Sequence, residues 1–232
     1  MVEIKGIEKF APIDFPGYIS STVFVGGCNF RCPFCHNAEL VLKPQSLPTF
    51  PMDYFLSYLD SRKNWLEAVC VSGGEPLLHD ELDVLLQIIK DRNLLVKIDT
   101  NGAFPEKLEE LIKAGLLDSV AMDIKAPLDK YEKITAVPVD TDNVRRSIKI
   151  IQRSGLDYIF RTTVVPGFID ENDIEEIGQL LKGSKSYQIQ QFKPVNTLDK
   201  TFEKIKPFGR EKLQVFADRA GPYFEKVRIE GI

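Results

Sequence analysis

The stretch "SSTVFVGGCNFRCPFCHN", residues 20–37, joins an apolar run directly to three of the four cysteines in the chain. The run predicts a β-strand over 20–26. The cysteines Cys28, Cys32 and Cys35 follow in one loop, with three and then two residues between them. Metal sites closed by protein usually have four ligands, so a loop with three cysteines raises the question of what takes the fourth position.

Apolar strands and amphipathic helices alternate along the rest of the chain. Five further strands are predicted at 66–72, 94–99, 118–124, 157–165 and 186–192. Apolar residues at helical spacing predict three helices, through Leu82, Leu85, Leu86 and Ile89, through Val144, Ile148 and Ile151, and through Ile174, Ile177 and Leu181. Asp80 is the predicted N-cap of the first helix, and Gly155 is predicted to end the second.

This alternation predicts an α/β fold with a mostly parallel sheet and outer helices. A closed eight-stranded barrel usually takes about 250 residues. The 232 residues therefore favour a curved, partly open (βα)6 barrel resembling a partial TIM barrel. We expect one domain over 1–232, with 1–19 as an N-terminal extension before the barrel. Ligands of parallel α/β folds bind at the carboxyl ends of the strands, so the site is expected there.

Composition limits the classes of function. A formal charge of −4 and a pI near 5.4 argue against a nucleic-acid partner. No signal peptide or membrane-spanning run is evident, which predicts the cytoplasm, where clustered cysteines bind metal or do redox chemistry. One basic cluster is interpreted as solvated surface, with a docking patch for an acidic partner as the alternative. It consists of Lys200, Lys204, Lys206, Arg210 and Lys212.

Two kinds of metal site are compatible with the cysteine loop. Zinc would need a fourth ligand; His36 is poorly placed next to Cys35, and His79 and Cys70 lie on other elements. A [4Fe–4S] cluster can be held through three of its irons, which leaves the fourth open to another ligand, and the spacing favours this site. Cys70 lies in an apolar strand and is predicted to be a buried core residue.

The pattern CxxxCxxC, with the aromatic Phe34 before the last cysteine, resembles the signature of the radical S-adenosylmethionine (SAM) enzymes. The resemblance implies a [4Fe–4S] cluster on the three cysteines, SAM on the open iron, and a partial (βα)6 barrel. "SGGEP" at 72–76 resembles the GGE motif of that family, which holds the SAM ammonium. Gly73 and Gly74 would let the main chain approach a ligand closely. The Glu75 carboxylate would accept hydrogen bonds from a cationic group of that ligand.

Four further motifs resemble the activating enzymes of glycyl radical enzymes, such as those of pyruvate formate-lyase and anaerobic ribonucleotide reductase. They are "CHN" at 35–37, "DTNG" at 99–102, "MDIK" at 122–125 and "RTTVVPG" at 161–167. The resemblance implies that Asn37 lies near SAM and that Lys125 pairs with the SAM carboxylate. It also implies a monovalent-cation site formed by Asp99, Thr100, Met122 and Asp123.

The residues alone leave several roles open. Asp99, Asp123 and Lys125 are charged side chains at the ends of apolar strands, which suits either a polar ligand or a structural salt bridge. Arg161 would either donate hydrogen bonds in the site or cap a strand. "IDFPG" at 13–17 resembles a segment that precedes the cluster in these activases, and it would either face a protein substrate or form a plain turn.

The hypothesis is therefore a radical SAM enzyme that activates a glycyl radical enzyme. Reduced flavodoxin or ferredoxin would supply an electron for cleavage of SAM to a 5′-deoxyadenosyl radical, which removes hydrogen from a glycine of the partner. The resemblance implies a partner, and the preferred one is an anaerobic ribonucleoside-triphosphate reductase. "QFKPVN" at 191–196 lacks the histidine of the pyruvate formate-lyase activase, which counts against that particular activase. The alternatives are a small-molecule enzyme resembling 7-carboxy-7-deazaguanine synthase, and a zinc or iron–sulfur module without SAM chemistry.

Overall fold

The computed structural model describes residues 2–231 and contains one eight-stranded sheet whose strands follow each other in sequence order. The strands are β1 Ile4–Glu8, β2 Ser20–Val25, β3 Ala68–Gly73, β4 Leu95–Thr100, β5 Ser119–Asp123, β6 Asp157–Val164, β7 Ser184–Gln191 and β8 Phe224–Glu230. The α-helices are α1 Ala38–Leu42, α2 Met52–Arg62, α3 Leu82–Lys90, α4 Pro105–Lys113, α5 Tyr131–Thr135, α6 Thr141–Arg153, α7 Glu171–Leu180 and α8 Arg210–Ala220. None of the helices in this described range is long and apolar enough to cross a bilayer.

The six predicted strands are confirmed as β2 to β7, and all of them run parallel. The sheet has two further strands that the sequence did not predict. β1 pairs antiparallel with β2, and β8 pairs parallel with β7. In the described part of the chain β1 and β8 form the two edges of the sheet, so the sheet stays open. β1 lies inside the predicted N-terminal extension, which is therefore partly built into the sheet.

The predicted helix faces are buried, as their periodicity requires. Leu82, Leu85, Leu86 and Ile89 of α3 are all fully buried. The acidic start of α7 forms a capping box, in which the Asp170 carboxylate accepts from the backbone N–H of Asp173 at 3.0 Å. The prediction of Asp80 as the N-cap of α3 was wrong by one residue. Glu81 is the N-cap, and its side chain forms no capping hydrogen bond. Gly155 follows α6 with a φ of +76°, as its predicted role requires.

Alternation along the strands separates the core from a polar face. Val69 and Val71 of β3 pack into the hydrophobic core, together with Val96 and Ile98 of β4. The residues between them point to the other face, where the sheet register sets Cys70 beside Lys97 and Asp123 beside Arg161. Charged side chains are thereby gathered on one face of a sheet whose other face is apolar.

Candidate functional site

A cavity of about 270 Å³ opens where β2 to β6 end, at the edge predicted for the site. It is lined by all eleven residues expected at the cluster and SAM sites, namely Cys28, Cys32, Phe34, Cys35, Asn37, Gly73, Gly74, Glu75, Asp99, Asp123 and Lys125. Thr100 of the expected cation site also lines it. The side chain of Met122, the remaining member of that cation site, is fully buried in the core instead.

Backbone contacts hold the cysteine loop in place. The guanidinium of Arg31 donates to the carbonyl of Cys28 at 2.6 Å, and the Cys35 N–H donates to the Cys32 carbonyl at 3.0 Å. The segment after β7 adds a further bond, from the Leu198 N–H to the Cys35 carbonyl at 3.0 Å. The three thiols take part in no disulfide and line the cavity. Hydrogen bonds to three backbone carbonyls therefore fix the loop, and none of these three bonds uses a sulfur atom.

Burial controls the protonation of these thiols. It raises the pKa of Cys28 to about 11 and that of Cys32 to about 12, and it raises the pKa of Cys35 as well. All three are therefore neutral near pH 7 without a bound cation. Metal ions bind thiolates, so binding would release protons, and a multiply charged metal centre would supply the attraction that the thiolates need.

The residues that could complete a zinc site are engaged elsewhere. The His36 Nδ1 lies 2.8 Å from the carbonyl of Val195, and the His79 Nε2 lies 2.8 Å from the carbonyl of Gly26. Cys70 is fully buried, as predicted, with its sulfur 3.5 Å from the Lys97 Nζ. Within residues 2–231, no three His, Cys, Asp or Glu side chains come close enough together to bind one metal ion. Three free thiols on an open cavity suit a cluster that uses three protein ligands.

The "GGE" turn packs directly against the strand that leads into the cysteine loop. The Glu75 N–H donates to the carbonyl of Gly27 at 2.8 Å, and a Cβ on Gly74 would lie 1.7 Å from that same oxygen. Gly73 has a φ of +116°, and a Cβ there would lie 2.4 Å from the Val25 carbonyl oxygen. The structure thus gives the glycines a reason of its own beside the predicted one, since the chain itself approaches them closely.

Glu75 ties the ends of β3 and β4 together. Its carboxylate is only 1% exposed. It accepts from the Asn101 N–H at 2.6 Å, from the Thr100 hydroxyl at 2.7 Å and from the Leu77 N–H at 3.1 Å. Burial raises its pKa to about 7 against the opposing effect of these donors. The carboxylate is therefore partly protonated near neutral pH, and a cation bound in the cavity would favour its charged form.

Five charged side chains of alternating sign form what we call the ionic chain, which runs Lys97, Asp99, Arg161, Asp123, Lys125. Lys97 contacts Asp99, and Arg161 binds Asp99 at 3.1 Å and Asp123 at 2.8 Å. The Lys125 Nζ then lies 3.0 Å from Asp123. Burial opposes charge on both aspartates, but the neighbouring cations outweigh it and hold the pKa of each below its usual range. The ionic chain carries a net charge of +1 and ends beside the cysteines.

The structure shows the contacts of the residues whose roles the sequence left open. Lys125 forms a salt bridge with Asp123, which was one of the two predicted alternatives, and it also lines the cavity. Arg161 is an ion-pairing residue of the site rather than a strand cap. Asp14 of the "IDFPG" segment lines the cavity and accepts from the Thr22 hydroxyl at 2.5 Å.

Sequence reasoning missed Lys97 and Asn101. Lys97 is 3% exposed, and a lysine inside the apolar strand "LLVKIDT", two residues before an aspartate on the same face, was the signal available. Asn101 places its amide Nδ2 2.8 Å from Asn29 and 3.9 Å from the sulfur of Cys28. Its position in the "DTNG" motif was the only indication.

Comparison with known proteins identifies the family of the chain. Residues 22–181 match the radical SAM superfamily. A protein of Methanocaldococcus jannaschii, provisionally named a glycyl-radical enzyme activating enzyme, is 36% identical over 99% of this chain and 96% of its own length. The pyruvate formate-lyase-activating enzyme of Streptococcus mutans is 27% identical over 84% of this chain and 78% of its own length.

A solved structure shares the fold. SuiB of Streptococcus suis, in its complex with S-adenosylmethionine, superimposes with a TM-score of 0.69 at 17% identity, over 88% of this chain. This chain spans about half the length of SuiB, since the match covers 48% of that protein. The whole-length similarity to the Methanocaldococcus protein and the superfamily match agree with each other. The chain therefore belongs to the radical SAM superfamily and, within it, to the family of glycyl-radical-enzyme activating enzymes.

Proposed function

We propose that this chain activates an anaerobic ribonucleoside-triphosphate reductase by means of a [4Fe–4S] cluster and SAM. One observation carries the proposal: the eleven residues expected to hold the cluster and SAM are spread from residue 28 to residue 125 of the sequence, yet they line a single cavity. If each of the eleven residues had a separate structural role, nothing would require all of them to line the same cavity. The family supports the class of enzyme, and the cavity supports the assignment of residues.

Cys28, Cys32 and Cys35 are assigned as the ligands of the cluster. Three protein ligands leave one metal position available to a small molecule, and the sulfur atoms face the space in which that molecule would lie. When bound, the cluster supplies the electron for reductive cleavage of SAM, which generates the 5′-deoxyadenosyl radical that takes hydrogen from a glycine. Phe34, which is buried, contributes apolar surface that would exclude water from this space.

Charged side chains of the cavity are assigned to the polar end of SAM. Lys125 donates one hydrogen bond, to Asp123, and its ammonium can donate two more, which suits the SAM carboxylate. Glu75 is assigned to the SAM ammonium together with Gly73 and Gly74. Asn37 donates to the Gly73 carbonyl at 2.7 Å, so it would position this turn.

A monovalent cation at Asp99 and Asp123 would compete with the ion pairs that these carboxylates already form. Lys97 and Arg161 already pair with Asp99, and Arg161 and Lys125 pair with Asp123. A metal cation would have to share these oxygens with three positive side chains. Binding there would require some of these ion pairs to open.

The partners are proposed from the motifs. The "CHN", "DTNG" and "MDIK" stretches support a glycyl radical enzyme as partner, and the reductase is preferred because "QFKPVN" at 191–196 lacks the histidine of the pyruvate formate-lyase activase. The electron donor is proposed to be reduced flavodoxin or ferredoxin. A cytoplasmic location, which suits four free cysteines, belongs to the same proposal.

Anaerobic reconstitution tests the cofactor assignment. We expect the protein to bind a [4Fe–4S] cluster whose EPR signal, after reduction with dithionite, changes when SAM is added. Cys32→Ala is the matched control and should lose both the cluster and the SAM-dependent change. A colourless protein with one zinc ion per chain would refute the proposal in favour of a zinc module. Consumption of a deazapurine precursor without a glycyl radical would favour the small-molecule enzyme.

A further inference from the structure

The segment from residue 192 to residue 212 carries a concentration of positive charge on a negatively charged protein. It contains six basic and three acidic side chains, a net charge of +3, whereas the whole chain carries −4. We call its exposed cations the basic surface, and they are Lys193, Lys200, Lys204, Lys206 and Arg210. The remainder of the chain is thus strongly acidic, and this segment stands out from it.

This segment lies directly on the outer side of the cysteine loop. The Leu198 N–H donates to the Cys35 carbonyl at 3.0 Å, and the Asp199 N–H donates to the Pro33 carbonyl at 2.9 Å. The ring of His36 stacks on Phe192, with 6.2 Å between the ring centroids. A protein bound to the segment would therefore be separated from the cysteines by little more than the loop itself.

Most cations of the basic surface have no internal partner. In the described part of the chain Lys200 pairs with Glu203 at 2.8 Å, but Lys193, Lys204, Lys206 and Arg210 form no ion pair. Val195 lies in the same segment with 58% of its side chain exposed. Exposed unpaired cations and an exposed apolar residue in one segment are the ingredients of an interface with a polar rim and an apolar contact, and the partner's rim should be acidic.

We infer that the basic surface is the docking site of an acidic one-electron donor protein, an inference that rests on the proposed function. In the transfer one electron leaves the reduced donor, which becomes oxidised, and enters the iron–sulfur centre; no bond is made or broken. Nucleic acid is the less favoured occupant, because three carboxylates are interspersed among the cations and the chain is acidic overall. The complementary charges would raise the association rate and make it dependent on salt.

Binding of oxidised flavodoxin to the cluster-loaded protein tests the inference without any measurement of activity. The variant carries Lys193→Glu, Lys204→Glu and Lys206→Glu. We expect its Kd for flavodoxin to rise about tenfold or more at low ionic strength, and the salt dependence of Kd to flatten. The matched control carries Lys63→Glu, Lys182→Glu and Lys185→Glu, which change the net charge equally. These three lysines are exposed and lie near the amino ends of β3 and β7, at the opposite end of the sheet.

The outcomes separate the docking surface from the proposed function. If the basic-surface variant binds flavodoxin as tightly as the control variant does, the inference is wrong. If its flavodoxin affinity is unchanged but its dithionite-driven glycyl radical formation falls, the surface serves the protein substrate instead, which also overturns the inference. SAM cleavage with dithionite should be equal in the wild type, variant and control. If none of the three proteins cleaves SAM, the proposed function is refuted. The comparison of Kd values would still show whether the basic surface binds flavodoxin.

Discussion

Gly74→Ala should both destabilise the protein and disturb the cysteine loop. The added Cβ would lie 1.7 Å from the carbonyl oxygen of Gly27 and 2.6 Å from its carbon, which are backbone atoms and cannot rotate away. The φ of Gly74 is not in the left-handed region, so the conflict is one of space alone. Gly27 immediately precedes Cys28, so the contact is relieved either by moving the Gly74 turn away from β2 or by shifting the first cluster ligand.

The magnitude follows from what must separate. The turn is joined to β2 and Gly27 by two hydrogen bonds, Gly74 N–H to Val25 at 2.9 Å and Glu75 N–H to Gly27 at 2.8 Å. Losing both costs about 1–3 kcal/mol, at about 0.5–1.5 kcal/mol for each bond. Overpacking adds about 1–3 kcal/mol. We expect a loss of about 2–6 kcal/mol in the free energy of unfolding, a large part of the 5–15 kcal/mol typical of proteins.

Urea unfolding of the apoprotein measures the loss of stability, and iron content after reconstitution measures the effect on the loop. Gly209→Ala is the control, because its Cβ would meet nothing within 4 Å and its φ of −73° suits alanine. The control should lose less than about 1 kcal/mol, the scale of an N-cap change. If Gly74→Ala matches the control in stability and in iron bound, the reasoning about this contact is wrong.

The remaining predictions concern individual side chains. Cys32→Ala should abolish iron binding whereas Cys70→Ala should retain it, and loss of iron from the Cys70 variant would show that the ligand assignment is wrong. Arg161→Met leaves two partly buried aspartates with one lysine each and should lower the free energy of unfolding by about 1.5–3 kcal/mol in urea titrations; unchanged stability would contradict the ionic chain. Burial raises the pKa of Glu75 from its ordinary 4.5 to about 7, so the folded apoprotein holds a proton there that the unfolded chain has lost. Its stability relative to Glu75→Gln should therefore fall as pH rises from about 4.5 to about 7, by up to about 3 kcal/mol; a difference independent of pH would rule this out.

The pattern of apolar residues along the sequence was sufficient to predict the central strands and three of the helices. β2 and β3 are short apolar runs that end at glycines, and β4 to β7 carry buried residues at alternate positions. α3, α6 and α7 have clear apolar faces, so the period of a strand and the period of a helix were both visible in the sequence. β8 was missed because "FEKVRIE" at the sheet edge keeps its charged residues on the open face and reads as a polar segment. β1 was missed because the short "IKGIE" contains a glycine and a register shift in its pairing with β2.

The site was predictable in its members but not in its contacts. The cysteine and "GGE" motifs name residues close in sequence, whereas the contact between Gly74 and Gly27 joins two strands and appears only when they pair. Lys97 was missed for the same reason, since its burial beside Cys70 depends on the register of β3 and β4. No spacing within a single stretch of sequence reports that register, which is set by how the strands pack.

The proposed function requires this cavity to generate a radical that removes hydrogen from a glycine of a partner enzyme. The most direct test incubates the cluster-loaded protein, SAM and dithionite with anaerobic ribonucleoside-triphosphate reductase whose glycine is deuterated at Cα. We predict a glycyl EPR signal on the reductase and 5′-deoxyadenosine that carries one deuterium, with neither product from the Cys32→Ala variant. Cleavage of SAM to unlabelled 5′-deoxyadenosine without a glycyl signal would contradict the claim.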